Sequence, residues 1–490
     1  MTHFRFIPHA IMAITLVALL TGCNLAPDYV RPDSSAQSAW HDQPVASFDV
    51  STNATTVMNT PVLATAGQPP VAELGWKTFF HDPRLQALFE LALKNNLDLR
   101  LAVQRVEQTR AQYGIAQSAL WPAAQLNASA TRTGTANDFI TPYASSSVSN
   151  AYSVTAGLTS FQIDFFGRLR NLSEAAYQTY LSTEEMSRNV QITIIGSVAQ
   201  QYFRVRLADM LAELAKQTMV SREESYALAK RRFEAGVVSE LDLNQARSLL
   251  NASAADVAKY SRDRAQATNA LEVLLGQAIP GDLPQAGPLG TETMLKQLPA
   301  GAPLDLLVNR PDILAAEHTL KSNNANIGAA RAAFFPSVNL LGFFGYSAVS
   351  PGGVFLGQSN AWQVSPAMTL PIFNGGALIA GLDLVDANSR AAVTAYQKTV
   401  QIAFREVSDA LAGEATYQAE LNATQSQEQS LKRSLELSNL RYSRGVDSYL
   451  QVQIAQINYY LARQAALLTT FNAMVNRVQL YTALGGGLKP

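Results

Sequence analysis

Residues able to do covalent or metal chemistry are few in this 490-residue chain, and they are poorly placed for catalysis. The five histidines, His3, His9, His41, His81 and His318, are scattered, and no Cys/His cluster has metal-ligand spacing. No glycine-rich phosphate loop follows an expected strand. No nucleophile and base pair up by spacing, so the sequence nominates no catalytic residue, no metal site and no cofactor. One reactive group remains, the thiol of Cys23. It follows basic Arg5 and the apolar run from Ile11 to Leu20, and it closes the tetrad Leu20-Thr21-Gly22-Cys23. That is the layout of an export signal whose small residues suit a peptidase and whose thiol takes a lipid. With a single cysteine, no disulfide can form within one chain.

The tetrad resembles the bacterial lipobox. The resemblance implies loss of residues 1–22 and a mature chain beginning at Cys23, carrying diacylglycerol and palmitoyl groups as its only covalent addition. Asn24, where an inner-membrane retention signal shows Asp, points to the outer membrane.

Lys and Arg number 37 against 38 Asp and Glu, a net charge of -1, and only 15% of residues are charged. Without a dense basic stripe to neutralise phosphates, nucleic acid is excluded as a partner. Beyond the signal no run of 18 apolar residues exists, so crossing a membrane would need a closed barrel rather than a helix. The segment from Pro32 to Pro70 is rich in Ser, Thr, Ala and Pro. Residues 23–75 therefore read as an extended tether or a strap along the body.

The elements beyond it come in two copies. Asn95-Asn96-Leu97-Asp98 matches Asn309-Arg310-Pro311-Asp312, and Trp121-Pro122 matches Phe335-Pro336, both 214 residues apart. Asp164-Phe165-Phe166-Gly167 matches Pro371-Ile372-Phe373-Asn374 at 207, and Arg232-Phe233-Glu234-Ala235-Gly236-Val237 matches Arg441-Tyr442-Ser443-Arg444-Gly445-Val446 at 209. Four landmarks in one order define repeats at 76–290 and 291–485, with a tail at 486–490.

Each copy opens with a helix, signalled by Asp82 and Pro83 in the first and Pro303 in the second (303–333), and ended near Pro122 or Pro336. The period then changes from 3.6 to 2, giving strands at 125–132, 148–162, 337–346 and 361–370. Tyr152, Val154, Ala156 and Leu158 alternate with small or polar residues, as do Trp362, Val364, Met368 and Leu370. That suits a barrel wall between lipid and water, with Pro366 expected to distort the last strand. Four strands cannot close a barrel, so several chains would have to pool them. Long helical hairpins follow at 168–275 and 374–484, turning at Gly236 and Gly445.

In this order these features resemble the outer membrane factor family, the TolC-type exit ducts of tripartite efflux pumps, in its lipid-anchored branch. The resemblance covers nearly the whole mature chain. It implies a mainly α fold with a membrane β-barrel: a homotrimer whose twelve-strand barrel takes four strands from each chain, above a long periplasmic α-helical barrel. It implies a porin-like, non-enzymatic duct for small toxic compounds or drugs, in outer-membrane lipid, served by a periplasmic adaptor and a proton-driven inner-membrane transporter. Gly236, Val237 and Ser239, with Gly445, Val446 and Ser448, would dock the adaptor. Arg441, Tyr442, Asp447 and Leu450 would close the periplasmic mouth. Gln451 and Ile454 stand where many relatives place acidic residues, which argues against a carboxylate ring there. The competing reading is a structural or adhesive envelope lipoprotein, its helices a stalk and its strands a soluble sheet.

Overall fold

The computed structural model describes residues 24–33, 45–49, 54–58, 71–134, 148–295, 298, 306–355 and 359–490. Cys23, His3, His9, His41 and Pro303 lie outside the described residues. Two strands, β1 (Val45–Asp49) and β2 (Ala54–Met58), pair antiparallel within the segment expected as a tether.

From Trp76 onward the elements are α1 (Trp76–Phe79), α2 (Pro83–Asn95), α3 (Leu97–Ser118), β3 (Ala124–Gly134), β4 (Val148–Ile163), α4 (Arg168–Glu234) and α5 (Glu240–Leu275). The second half gives α6 (Leu306–Asn309), α7 (Pro311–Ala332), β5 (Ser337–Ala348), β6 (Asn360–Thr369), α8 (Ala377–Ser443) and α9 (Tyr449–Ala483). The order runs twice with near-equal lengths: α3 and α7 have 22 residues each, α4 and α8 have 67 each, and α5 and α9 have 36 and 35. At ~1.5 Å per residue each long helix is ~100 Å. No helix among the described residues is long and apolar enough to cross a membrane.

Where the sequence suggests one opening helix per copy, each is broken. Asp82 caps as expected, its Oδ1 accepting from the Arg84 and Leu85 N–H groups at 2.9 and 3.4 Å, with Pro83 next. The break comes at Asn96, which leaves helical geometry at ψ 130°. Its Oδ1 caps Leu99 at 3.0 Å while its Nδ2 donates to the Leu274 carbonyl at 2.8 Å. In the second copy the break falls at the matched Arg310, ahead of Pro311.

The chain forms two compact units. Among the described residues, the first unit combines those up to Pro32 with those in Arg105–Thr183 and Ala316–Tyr396 and holds the sheet; the second combines those from Asp33 to Gln104 with those in Glu184–Ala315 and Gln397–Pro490. In the second unit, Phe79, Phe80, Phe89, Leu85, Leu275 and Tyr481 are wholly buried. Phe79 stacks on Tyr481 at 4.1 Å, and the Tyr481 hydroxyl donates to the Leu74 carbonyl at 2.8 Å. Burial pushes that phenol's pKa up.

The sheet is antiparallel throughout, in the order β3-β4-β5-β6, so β3 and β6 are its open edges. Directly paired residues share a face. One row reads Leu126, Ala156, Phe344, Trp362 and the next Ala124, Leu158, Gly342, Val364. The opposite face carries rows such as Asn127, Thr155, Gly345, Ala361 and the Ser129 and Ser153 hydroxyls bonded at 2.8 Å. A bulge in β4 sets three steps from Leu158 to Phe161 against two from Gly342 to Leu340, which returns Phe161 and Ile163 to the apolar face. The distortion expected at Pro366 is absent: β6 keeps one register with β5 through Leu340 and Pro366. An edge strand has one ladder side unpaired, so a missing N–H is tolerated there.

Candidate functional site

Three parts of the chain are candidates: the sheet, the amino-terminal strap and the two hairpin turns. In the sheet the apolar face is bare. Leu126 is 72% exposed, Trp362 74% and Met368 72%. A soluble protein buries such a face, whereas a barrel wall presents it to lipid. Two glycines permit close strand approach: a Cβ on Gly157 would lie 2.2 Å from the Gly342 carbonyl oxygen, and one on Gly345 2.2 Å from that of Val154.

The strap, residues 24–32, is held in the first unit. Asn171 Nδ2 donates to Asn24 Oδ1 at 2.9 Å, and Asn324 Nδ2 donates to the Pro27 carbonyl at 2.7 Å. Arg31 Nη2 meets Glu317 Oε2 at 2.6 Å, and Lys321 meets the other oxygen at 3.0 Å. Burial opposes ionisation of Glu317, but these two cations outweigh it and hold the carboxyl below its ordinary value. Lys321 also sits 5.2 Å over the Tyr29 ring. Burial, aided by the Glu317 charge, pushes the Tyr29 phenol up to about 12. The strap's own contacts are not visible in sequence, because strap and partners lie 147 to 297 residues apart and Glu317 looks like any helix-face carboxylate.

Both hairpins turn in one way. Gly236 and Gly445 sit at φ 69° and 72°, where a side chain is strained. The Val237 N–H donates to the Arg232 carbonyl at 2.8 Å and the Gly236 N–H to that of Phe233 at 2.9 Å. The same bonds recur from Val446 to Arg441 and from Gly445 to Tyr442, both at 3.0 Å. This is a Schellman stop, in which glycine ends a helix and its last carbonyls are satisfied. Val237 and Val446 stand out, 70% and 64% exposed.

The returning helices start differently. Ser239 and Asp242 form a reciprocal capping box at the head of α5. Ser448 heads α9 without a side-chain cap. There Asp447 accepts from the Ser448 N–H at 3.0 Å, and its other oxygen pairs with Arg441 Nε at 3.1 Å across the turn. Asp447 thus meets an arginine of its own hairpin. Leu450 is half exposed, one residue into α9.

Tyr442 reaches the first hairpin instead: Arg232 donates to its hydroxyl and lies 4.8 Å over its ring, while Tyr449 packs 5.3 Å away. Arg232 is the repeat partner of Arg441, which is the one signal that could have marked it. Further along, buried Arg222 on α4 donates to Ser253 Oγ at 2.8 Å and covers Tyr460 at 5.3 Å. Tyr460 donates to Asp256 at 3.0 Å, and Gln464 to the Tyr260 hydroxyl at 2.9 Å, joining α9 to α5. Burial lowers the Arg222 pKa. At the α6–α7 break, buried Arg310 donates to Asp312, Glu406 and the Ala483 carbonyl at 2.7, 2.9 and 2.9 Å. Among the described residues no group of three or more His, Cys, Asp or Glu could hold a metal ion.

The profile of the family described as outer membrane efflux protein matches residues 88–277 and again 302–486. The solvent efflux pump outer membrane protein SrpC of Pseudomonas putida is 42% identical over 469 residues, covering 96% of each chain. The open-state MtrE outer membrane channel of Neisseria gonorrhoeae superposes with a TM-score of 0.82 at 36% identity, over 95% of this chain and 99% of that one. A membrane protein of Pseudomonas aeruginosa gives a TM-score of 0.84 at 36% identity, over 94% of this chain and all of the other. The bare apolar sheet face, the paired long helices and these likenesses along nearly the full length agree, and the chain belongs to the outer membrane efflux protein family.

Proposed function

We propose that this chain is one subunit of a homotrimeric, passive exit duct in the outer membrane, lipid-anchored at Cys23. The observation that carries the reading is the four-stranded sheet with an exposed apolar face and two open edges. Such edges cannot remain unpaired in hydrocarbon. Three copies joined edge to edge make twelve strands with no edge. The hairpin turns dock a periplasmic adaptor, an inner-membrane transporter driven by protons supplies the energy, and the cargo is small toxic apolar or amphipathic compounds. The likeness to SrpC, a solvent efflux pump component, supports that class of cargo.

The gate is assigned to Arg441, Tyr442, Asp447 and Leu450. The Arg441–Asp447 pair and the Arg232–Tyr442 contact support it, since both are exposed or half-exposed links that an adaptor can exchange. The test is reconstitution of the purified protein in planar bilayers. Discrete conductance steps from a heat-modifiable trimer are expected. A soluble, monomeric, non-conducting protein after removal of lipid would overturn the duct in favour of an envelope stalk.

A further inference from the structure

The internal repeat carries one contact whose counterpart is missing within the chain. Phe166, three residues past the end of β4, stacks on Phe335, two residues before β5, with ring centroids 4.7 Å apart and planes inclined by 25°. The stack closes the joint where those two neighbouring strands leave the sheet. Shifted by the repeat offsets of 207 and 214 residues, Phe166 becomes Phe373, just past β6, and Phe335 becomes Trp121, just before β3. Those two residues flank the ends of the two edge strands, and they are 90% and 72% exposed.

We infer that Trp121 of one subunit stacks on Phe373 of the next, so that the intrachain pair Phe166–Phe335 is repeated across every subunit boundary. The occupant of both exposed rings is a second copy of this chain, and the inference rests on the edge-to-edge closure proposed above. The strand register agrees with it. The β4–β5 pairs Phe161–Leu340 and Ile163–Val338 shift by the same offsets to Met368 with Leu126 and Leu370 with Ala124. All four are apolar, and Met368 and Leu126 belong to the exposed apolar face already defined. Three residues further along each chain, just outside the strands, as from Ile163 and Val338 to Phe166 and Phe335, Phe373 comes level with Trp121. Six aromatic joints, three within subunits and three between them, would then ring the barrel where strands give way to helices. The two rings are exposed at the positions that match the partners of the Phe166–Phe335 joint, and an offset stack is a geometry aromatic pairs favour.

The test is thiol crosslinking of the assembled, membrane-extracted protein with a short bis-maleimide. W121C together with F373C is expected to give covalent dimers and trimers on denaturing gels, and each single variant only monomers. F166C with F335C is the intrachain reference and should crosslink without change of mass class. L126C with M368C probes edge pairing by itself. Covalent trimers from the edge pair but none from W121C/F373C would overturn the stack while leaving edge closure intact. Absence of both, with monomers by light scattering, would overturn closure and the stack together. Labelling of the single cysteines by a membrane-partitioned maleimide with no crosslink in the double variant would assign the rings to lipid and refute the inference. A milder check is W121A, which should lower the temperature at which the detergent-resistant trimer dissociates, with F373A adding little more once Trp121 is gone.

Discussion

At the scale of single residues, Glu317 ties the strap to the first unit through one carboxylate shared by Arg31 and Lys321. Both cations are partly exposed, at 42% and 31%, so losing Glu317 strands no buried charge and the cost is that of charged hydrogen bonds, about 1.5 to 3 kcal/mol. Because the folded pKa is depressed, this stabilisation is complete above the unfolded value near 4.5 and disappears as pH falls through the lower folded value. Glu317→Gln should therefore melt earlier than wild type at neutral pH and expose the Tyr29–Val30 bond to chymotrypsin. The difference in melting temperature should shrink below about pH 4. A gap that stays constant from neutral to acid pH would show that the carboxylate charge is irrelevant. Gly328 offers a second check, since a Cβ there would lie 2.7 Å from that of Ala26, so Gly328→Val should displace the strap at Ala26 while Arg31, Glu317 and Lys321 stay as they are in sequence.

At the scale of elements, the two turns differ in what holds them. In the first hairpin the Asp242 carboxylate is used within the capping box of α5, whereas in the second the Asp447 carboxylate crosses the turn to Arg441. The first turn is locally self-sufficient; the second depends on an exposed pair worth about 0.2 to 1 kcal/mol. Asp447→Ala with Leu450→Ser should raise single-channel conductance without loss of trimer, and wild-type conductance from the assembled double variant would place the gate elsewhere. Gly236→Trp and Gly445→Trp should weaken adaptor crosslinking. Each glycine faces open space but has positive φ, so a variant must first be shown to fold. The turns were legible in sequence because Gly-Val stops recur and glycine is the residue that such backbone geometry demands. The strands were legible to within two residues because alternation is local. Even the bulge left a trace, the change of apolar parity from Leu158 to Phe161, although reading it requires the partner strand. Arg232–Tyr442 and Arg31–Glu317 were not legible, since their members are separated by 210 and 286 positions and only folding shows that they meet. Asn96 and Arg310 were visible as matched landmarks but not as helix breaks: Asn96 caps Leu99 locally, while its second bond, to the Leu274 carbonyl, joins a helix that only folding brings near.

For the whole molecule, the proposed duct needs one face of the sheet toward lipid and the other toward water, a distinction that alternates with every residue along a strand. Val364 and Ser365 are neighbours on β6, yet their partners place them on opposite faces: Val364 pairs with Gly342 in the apolar row, and Ser365 with Leu341. In the proposed trimer each substitution appears three times. An arginine on the lipid side near mid-membrane costs about 2 to 4 kcal/mol per copy, which a barrel stabilised by ordinary margins tolerates poorly. An arginine on the lumen side stays hydrated and adds positive charge to the water path. Val364→Arg is therefore expected to deplete assembled trimer from the outer membrane. Ser365→Arg is expected to assemble normally and to shift the reversal potential in a salt gradient toward anion preference. An adhesive stalk with a soluble sheet predicts neither result, because both faces would then meet water or protein. Equal assembly of the two variants, with no difference in ion preference, would remove the barrel wall from this sheet, and with it the duct.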